Sequence, residues 1–173
     1  GFKSEKVDGA GMPAVTVRSW ASTTTDPAKA PTVVLLDGLR ATQDVSGWER
    51  DSNVAFLSQK GVNVVMPVGG TASFYTNWAN TSKHGNGTYK ATWGNFLASS
   101  LPNYIKSRGF SSNLSLVGIS MGGGAALINA ANNPGVYKRA AALSGFLNTS
   151  APGMPVAVVR GRGGVLRAFY NVC

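Results

Sequence analysis

Four short apolar runs constrain what this chain can fold into. They are Thr32 to Leu36, Val62 to Val68, Leu114 to Ile119 and Ala140 to Leu143. Each is too short for a buried helix and ends in a turn residue: Asp37-Gly38, Gly69-Gly70, Ser120 and Ser144-Gly145. Uninterrupted apolar runs of this length read as strands buried on both faces, as in a parallel sheet. The segments between them have helical spacing. Trp93, Phe96, Leu97, Leu101, Tyr104 and Ile105 form one apolar stripe, with Pro102 expected to bend the helix or mark its weak point. Met121 to Asn132 reads as a small-residue helix stopped by Asn133-Pro134-Gly135. Residues 14–20 alternate like a half-buried strand, and 21–31 are turn-rich. Strands alternating with helices predict an α/β fold, doubly wound on a mostly parallel sheet.

At 173 residues the chain is expected to form a single domain. One cysteine, Cys173, and one histidine, His84, leave no material for a disulfide framework or a multi-histidine or cysteine-rich metal site. No metal or organic cofactor is expected. No apolar run reaches the roughly 18 residues of a membrane-spanning helix. The chain opens Gly1-Phe2-Lys3 with no charged-then-apolar leader, so an export signal is expected to be absent from this sequence. The net charge is +9, and all seven acidic residues lie at or before Asp51. The basic residues are scattered and accompany no recognition motif. They suit work near anionic surfaces better than nucleic-acid binding.

The chemistry is expected where the third run enters Gly118-Ile119-Ser120-Met121-Gly122. A G-x-S-x-G string between a buried strand and a helix is the nucleophile elbow of α/β-hydrolases, with Ser120 as nucleophile. Its glycines permit the strained turn, and the helix N-terminus favours an oxyanion. The oxyanion hole needs two backbone donors. Met121 N–H is the expected first, and Leu39 N–H, in the Asp37-Gly38-Leu39-Arg40 loop, the second. In this reading Asp37 and Arg40 reach a polar substrate.

Several longer strings carry a family resemblance: Leu35-Leu36-Asp37-Gly38-Leu39-Arg40-Ala41, Gly47-Trp48, Met66-Pro67-Val68-Gly69-Gly70, Ser73-Phe74-Tyr75, Trp78, Thr88-Tyr89-Lys90 and the elbow itself. In order and approximate spacing they resemble the antigen 85 mycolyltransferase family from Asp37 to about Gly153. The resemblance implies a secreted, cell-envelope acyltransferase of the α/β-hydrolase fold. Such an enzyme moves mycoloyl chains between trehalose glycolipids and cell-wall polysaccharide through an acyl-serine. It implies Ser120 as nucleophile, Leu39 and Met121 as oxyanion donors, and Asp37 and Arg40 as sugar contacts. Trp78, close to Ser73-Phe74-Tyr75, is expected to line the sugar site.

The sequence also departs from that family. Residues 79–88 lack its cysteine pair, and residues 155–173 form a divergent tail that reads as a truncation or a shifted frame. No carboxylate follows Asp51 and no histidine follows Ser120, so the Ser…acid…His order of these enzymes is not completed. His84, in Lys83-His84-Gly85-Asn86-Gly87, reads as a solvated turn residue rather than a substitute base. Alternative readings are a catalytically impaired binding or inert protein, and a generic carboxylesterase. With its later strands missing, the sheet is expected to end at Ala140 to Leu143 as an uncovered apolar edge prone to self-association.

Overall fold

The computed structural model describes residues 1–145 and the strands Val156–Arg160 and Leu166–Tyr170. The chain enters through a hairpin of β1 (Phe2–Gly9) and β2 (Met12–Trp20). Its two-residue turn puts Ala10 at φ +55° and Gly11 at +112°, matching the hairpin's twist. β1 escapes sequence reading because Lys3, Glu5, Lys6 and Asp8 break its apolar pattern; such charges suit a sheet edge.

The expected runs become β3 (Thr32–Leu36), β4 (Asn63–Pro67), β7 (Leu114–Ile119) and β8 (Tyr137–Leu143). β5 (Ser82–His84) and β6 (Gly87–Tyr89) form a separate small hairpin. With β9 (Val156–Arg160) and β10 (Leu166–Tyr170) the main sheet runs β1-β2-β4-β3-β7-β8-β9-β10. Its four central strands are parallel to their neighbours, and both flanks are antiparallel. The sheet is therefore mixed, parallel where the apolar runs are continuous. β8 is not the expected uncovered edge: it pairs with β7 on one side and antiparallel with β9 on the other. The ground for expecting self-association there is removed.

Successive residues of a strand point to opposite faces, and the core divides accordingly. Val34, Leu36, Val65 and Leu116 face one side with the helical stripe of Trp93, Phe96, Leu97, Leu101 and Ile105, and with α4 (Met121–Asn132). Leu35, Val64 and Met66 face the other, under Trp48 of α1 (Gly47–Asp51) and Val54 of a 3-10 turn, Val54–Lys60. Both faces are covered, as a doubly wound sheet requires. The stripe lies on α2 (Trp93–Asn95), a π turn (Phe96–Ser100) and α3 (Leu101–Ser107). Pro102 accounts for the π turn: it has no N–H to give and crowds the carbonyl four residues back. Leu101 N–H bonds Phe96 O across the widened turn.

Candidate active site

The site forms at the C-terminal ends of the parallel strands, where four loops meet. At the end of β7, Ser120 adopts φ +54° and ψ −119°, a conformation that side-chain-bearing residues avoid. Its N–H bonds Leu143 O at 2.8 Å and its carbonyl accepts from Gly123 N–H at 3.0 Å, so both sides of the turn are fixed. The flanking glycines are required by contact. A Cβ on Gly118 would sit 1.9 Å from Gly122 O, and one on Gly122 would sit 2.4 Å from Asp37 O and 2.6 Å from Leu36 O. Two bare backbones therefore let α4 start against the end of β3. Met121 opens α4, so its N–H has no partner within the helix.

The loop after β3 closes over the elbow. Gly38 packs on Ser120, its Cβ position lying 3.7 Å from that of Ser120. Leu39 carries the loop into solvent, 47% exposed, and its carbonyl accepts from Ala72 N–H at 3.0 Å. Leu39 N–H makes no hydrogen bond among the described residues. The structure thus places the Gly38 backbone, followed by Leu39, against Ser120 at the start of α4.

Asp37 is more constrained than that reading allows. It is 2% exposed, and its Oδ1 accepts from Ser46 Oγ at 2.8 Å and Gly47 N–H at 2.9 Å. Its own N–H donates to Tyr75 Oη at 2.9 Å. Oδ2 is buried with no partner among the described residues. Burial holds this carboxyl above its ordinary range, opposed by the bonds from Ser46, Trp48 and Gly47 and by the charge of Arg50. Burial also raises the Tyr75 phenol, helped by the nearby Asp37 charge. Asp37 thus organises the loop through Oδ1 and its backbone N–H.

Asp37 also lines a cavity of about 280 Å³ beside the elbow, together with Arg40, Trp48, Arg50, Asp51 and Ile119 among others. The volume lies near the small end of ligand cavities, roughly 300–1,000 Å³, which suits one sugar-sized ring. Trp48 forms part of the wall and is fixed by Nε1 donating to Leu36 O at 2.9 Å. Arg40 is exposed at this cavity. Trp78 is not there. It lines a separate open groove with Phe74, Asn77 and Thr81, and its Nε1 bonds Ser73 O at 2.8 Å. Its tie is to the loop after β4, which passes through positive φ at Ala72, Phe74 and Tyr75.

His84 is also corrected. It ends β5 rather than lying in a bare turn, stacks on Tyr89 at 4.6 Å and meets Trp78 edge-on at 5.4 Å. Ser82 Oγ lies 3.0 Å from its Nε2. None of these partners belongs to the elbow. The residues missed by sequence reasoning are Ser46, Tyr75, Arg50, Asp51 and Asn129. Asn129 Nδ2 donates to Tyr75 O at 3.1 Å and anchors the β4 loop to α4. Only Ser46 had a local signal, as a serine cap ahead of the short helix α1.

A glycine-flanked serine at positive φ, between a buried parallel strand and a helix, defines the α/β-hydrolase class. The chain belongs to the Esterase family, whose model matches residues 16–168. It is similar to the diacylglycerol acyltransferase/mycolyltransferase Ag85C of Mycobacterium avium, 43% identical over 130 residues, 73% of this chain and 37% of that protein. Ag85B of Mycobacterium intracellulare is 44% identical over 126 residues, 70% of this chain and 38% of that protein. Among solved structures, MPT51 (FbpC1) of Mycobacterium tuberculosis matches with a TM-score of 0.71 and 32% identity, over 88% of this chain and 54% of that one. The resemblance to antigen 85 proteins is thereby borne out. The chain spans about two fifths of the length of the curated relatives it matches.

Proposed function

We propose that this chain carries the acyl-serine and acceptor elements of a mycolyltransferase-type acyltransferase. Ser120 Oγ attacks the ester carbonyl of a mycoloyl donor, and the leaving alcohol departs with a proton. The carbonyl oxygen collects charge at the N–H groups of Met121 and Leu39, aided by the N-terminal end of α4. The acyl chain then passes from Ser120 to a hydroxyl of an acceptor held in the cavity of Asp37 and Arg40. The substrates in this reading are trehalose mycolates and cell-wall polysaccharide, and the place of work is the cell envelope after export. No helix among the described residues is long and apolar enough to cross a membrane. Trp78 serves as a prop of the β4 loop rather than as a sugar platform, since it lies outside the cavity of Asp37 and Arg40 and bonds Ser73 O.

The observation that carries the proposal is the backbone of Ser120: φ +54°, between two glycines whose Cβ atoms have no room, with Gly38 packed on it. Strain of this kind, of order 1–3 kcal/mol, persists where the surroundings enforce it, and it clusters at reacting residues. A serine hydroxyl also needs a base. Neither a carboxylate nor a histidine follows Ser120 in this sequence, and His84 keeps other company. Acyl transfer by this polypeptide alone is therefore expected to be at least about 10³-fold slower than by a relative with a complete triad.

The test is covalent labelling. An electrophilic alkyl phosphonate should modify Ser120, slowly, and Ser120→Ala should abolish the adduct in peptide mass spectra. An adduct on another serine, with Ser120 untouched, overturns the assignment.

A further inference from the structure

The wall of the acceptor cavity contributed by α1 and the residues after it has no role in the chemistry above, yet it carries the cavity's second pair of charges. Arg50 Nε lies 2.8 Å from Asp51 Oδ1 and Arg50 Nη2 lies 2.6 Å from Asp51 Oδ2, a two-pronged pair on the cavity lining. The pair converges with Asp37 across Gly47. The point where a Gly47 Cβ would lie is 3.3 Å from Asp37 Oδ1, 3.6 Å from Arg50 Nη2 and 3.8 Å from Asp51 Oδ2. We propose that the Arg50–Asp51 pair is a charge filter that admits a neutral polyhydroxyl acceptor and rejects one bearing phosphate or carboxylate. The proposal rests on the reading that this cavity receives the acceptor.

The argument is one of donors, acceptors and balance. The lining holds two cations, Arg40 and Arg50, and two carboxyl groups, Asp37 and Asp51, in a chain whose net charge is +9. Excess positive charge has been cancelled locally, the opposite of what an anion-binding site needs. Asp37, whose Oδ2 is buried with no hydrogen-bond partner among the described residues, adds a second carboxyl to the lining beside this pair. A hydroxyl meets no like charge beside the two carboxyl groups, whereas a phosphate or carboxylate is repelled by them. The fork between Arg50 and Asp51 uses two of the five guanidinium N–H groups and leaves lone pairs on both carboxylate oxygens. One sugar hydroxyl can therefore accept from Arg50 and donate to Asp51 while the pair stays intact. An anionic group has to pull Arg50 away from Asp51, leaving a carboxylate unpaired beside it. Gly47 keeps the approach open, because any side chain there would project among the three groups.

Calorimetric titration of this chain with trehalose and with glucose 6-phosphate tests the filter. The wild type should bind trehalose at least about tenfold more tightly than glucose 6-phosphate. Asp51→Asn frees Arg50 and should move that ratio at least about tenfold toward glucose 6-phosphate. Arg50→Leu should weaken trehalose about tenfold without admitting the phosphate. Both residues are exposed, so neither change threatens the core. Equal wild-type affinities, no trehalose binding, or a ratio unmoved in both variants overturns the proposal. Phosphonate labelling of Ser120 in the wild-type sample keeps the two readings apart. Labelling without charge selectivity sinks the filter alone; failure to label sinks the acyl-serine reading beneath it.

Discussion

Adding one methyl group at Gly122 probes whether close backbone contact is what assembles this site. The Cβ would lie 2.4 Å from Asp37 O, 2.6 Å from Leu36 O and 2.8 Å from Leu36 C, all main-chain atoms with no side-chain rotation to relieve them. Reaching even the shortest contact seen for real Cβ atoms requires α4 and the end of β3 to part by about 0.6 Å. Overpacking of this kind costs about 1–3 kcal/mol, and backbone against backbone belongs at the upper end. Replacing a helical glycine by alanine returns up to about 1 kcal/mol. The net for Gly122→Ala is a loss of about 2 kcal/mol, or roughly 4–8 °C in Tm for a domain of this size. The parting also carries Asp37 to Leu39 away from Ser120, and misplacements approaching 1 Å can cost about 10²-fold in rate. Thermal unfolding and the rate of phosphonate labelling are the two assays. Gly135→Ala, with nothing within 4 Å of its Cβ, is the control. A Gly122→Ala protein as stable as the control and labelled at the wild-type rate refutes the reasoning.

Three further outcomes are expected. Burial raises the Asp37 carboxyl, so the folded state binds its proton more tightly than the unfolded chain. The group is therefore least costly at acid pH, and stability is lost as pH rises from roughly 4 through its raised value. Asp37→Asn should gain stability relative to wild type over that rise in urea midpoints; a relative loss would mean a lowered pKa instead. Asn129→Leu keeps volume but strips the buried Tyr75 carbonyl of its donor, and should cost about 1–3 kcal/mol in urea unfolding. Unchanged stability would show that the β4 loop does not depend on this anchor. Arg18 forks onto Glu49 at 2.6 and 2.7 Å with both side chains about four-fifths buried, joining β2 to α1. A double-mutant cycle of Arg18→Leu and Glu49→Gln should give a coupling near 1 kcal/mol, at the upper end for ion pairs in contact with water. A coupling near zero would leave α1 held by Trp48 and by the bonds of Ser46 and Gly47 to Asp37.

The sequence by itself determined the parallel centre of the sheet, the helical stripe, α4 and the elbow. Those features follow from short-range rules: continuous β-branched runs, a spacing that repeats with the helix turn, and glycines on either side of Ser120. The pattern even marked Pro102 as the weak point, where the helix widens into a π turn. Only the tertiary structure decided the flanks and the cavity. β1 reads as polar because one face of it meets water, and its strand identity comes from its partner β2. β8 gains a second neighbour from β9, which lies beyond the reach of local pattern. Asp37 looked free to meet a ligand, but Ser46 and Gly47, ten or fewer residues on, turn back onto it, and Tyr75 reaches it from another loop. Arg50 and Asp51 look like an ordinary exposed charged pair on a short helix. Their place on the cavity lining depends on where α1 docks, and docking is set by Trp48 and Arg18 across the fold. Side-chain periodicity is written locally in a chain, whereas the meeting of loops from four separate strands exists only once the sheet has brought their ends together.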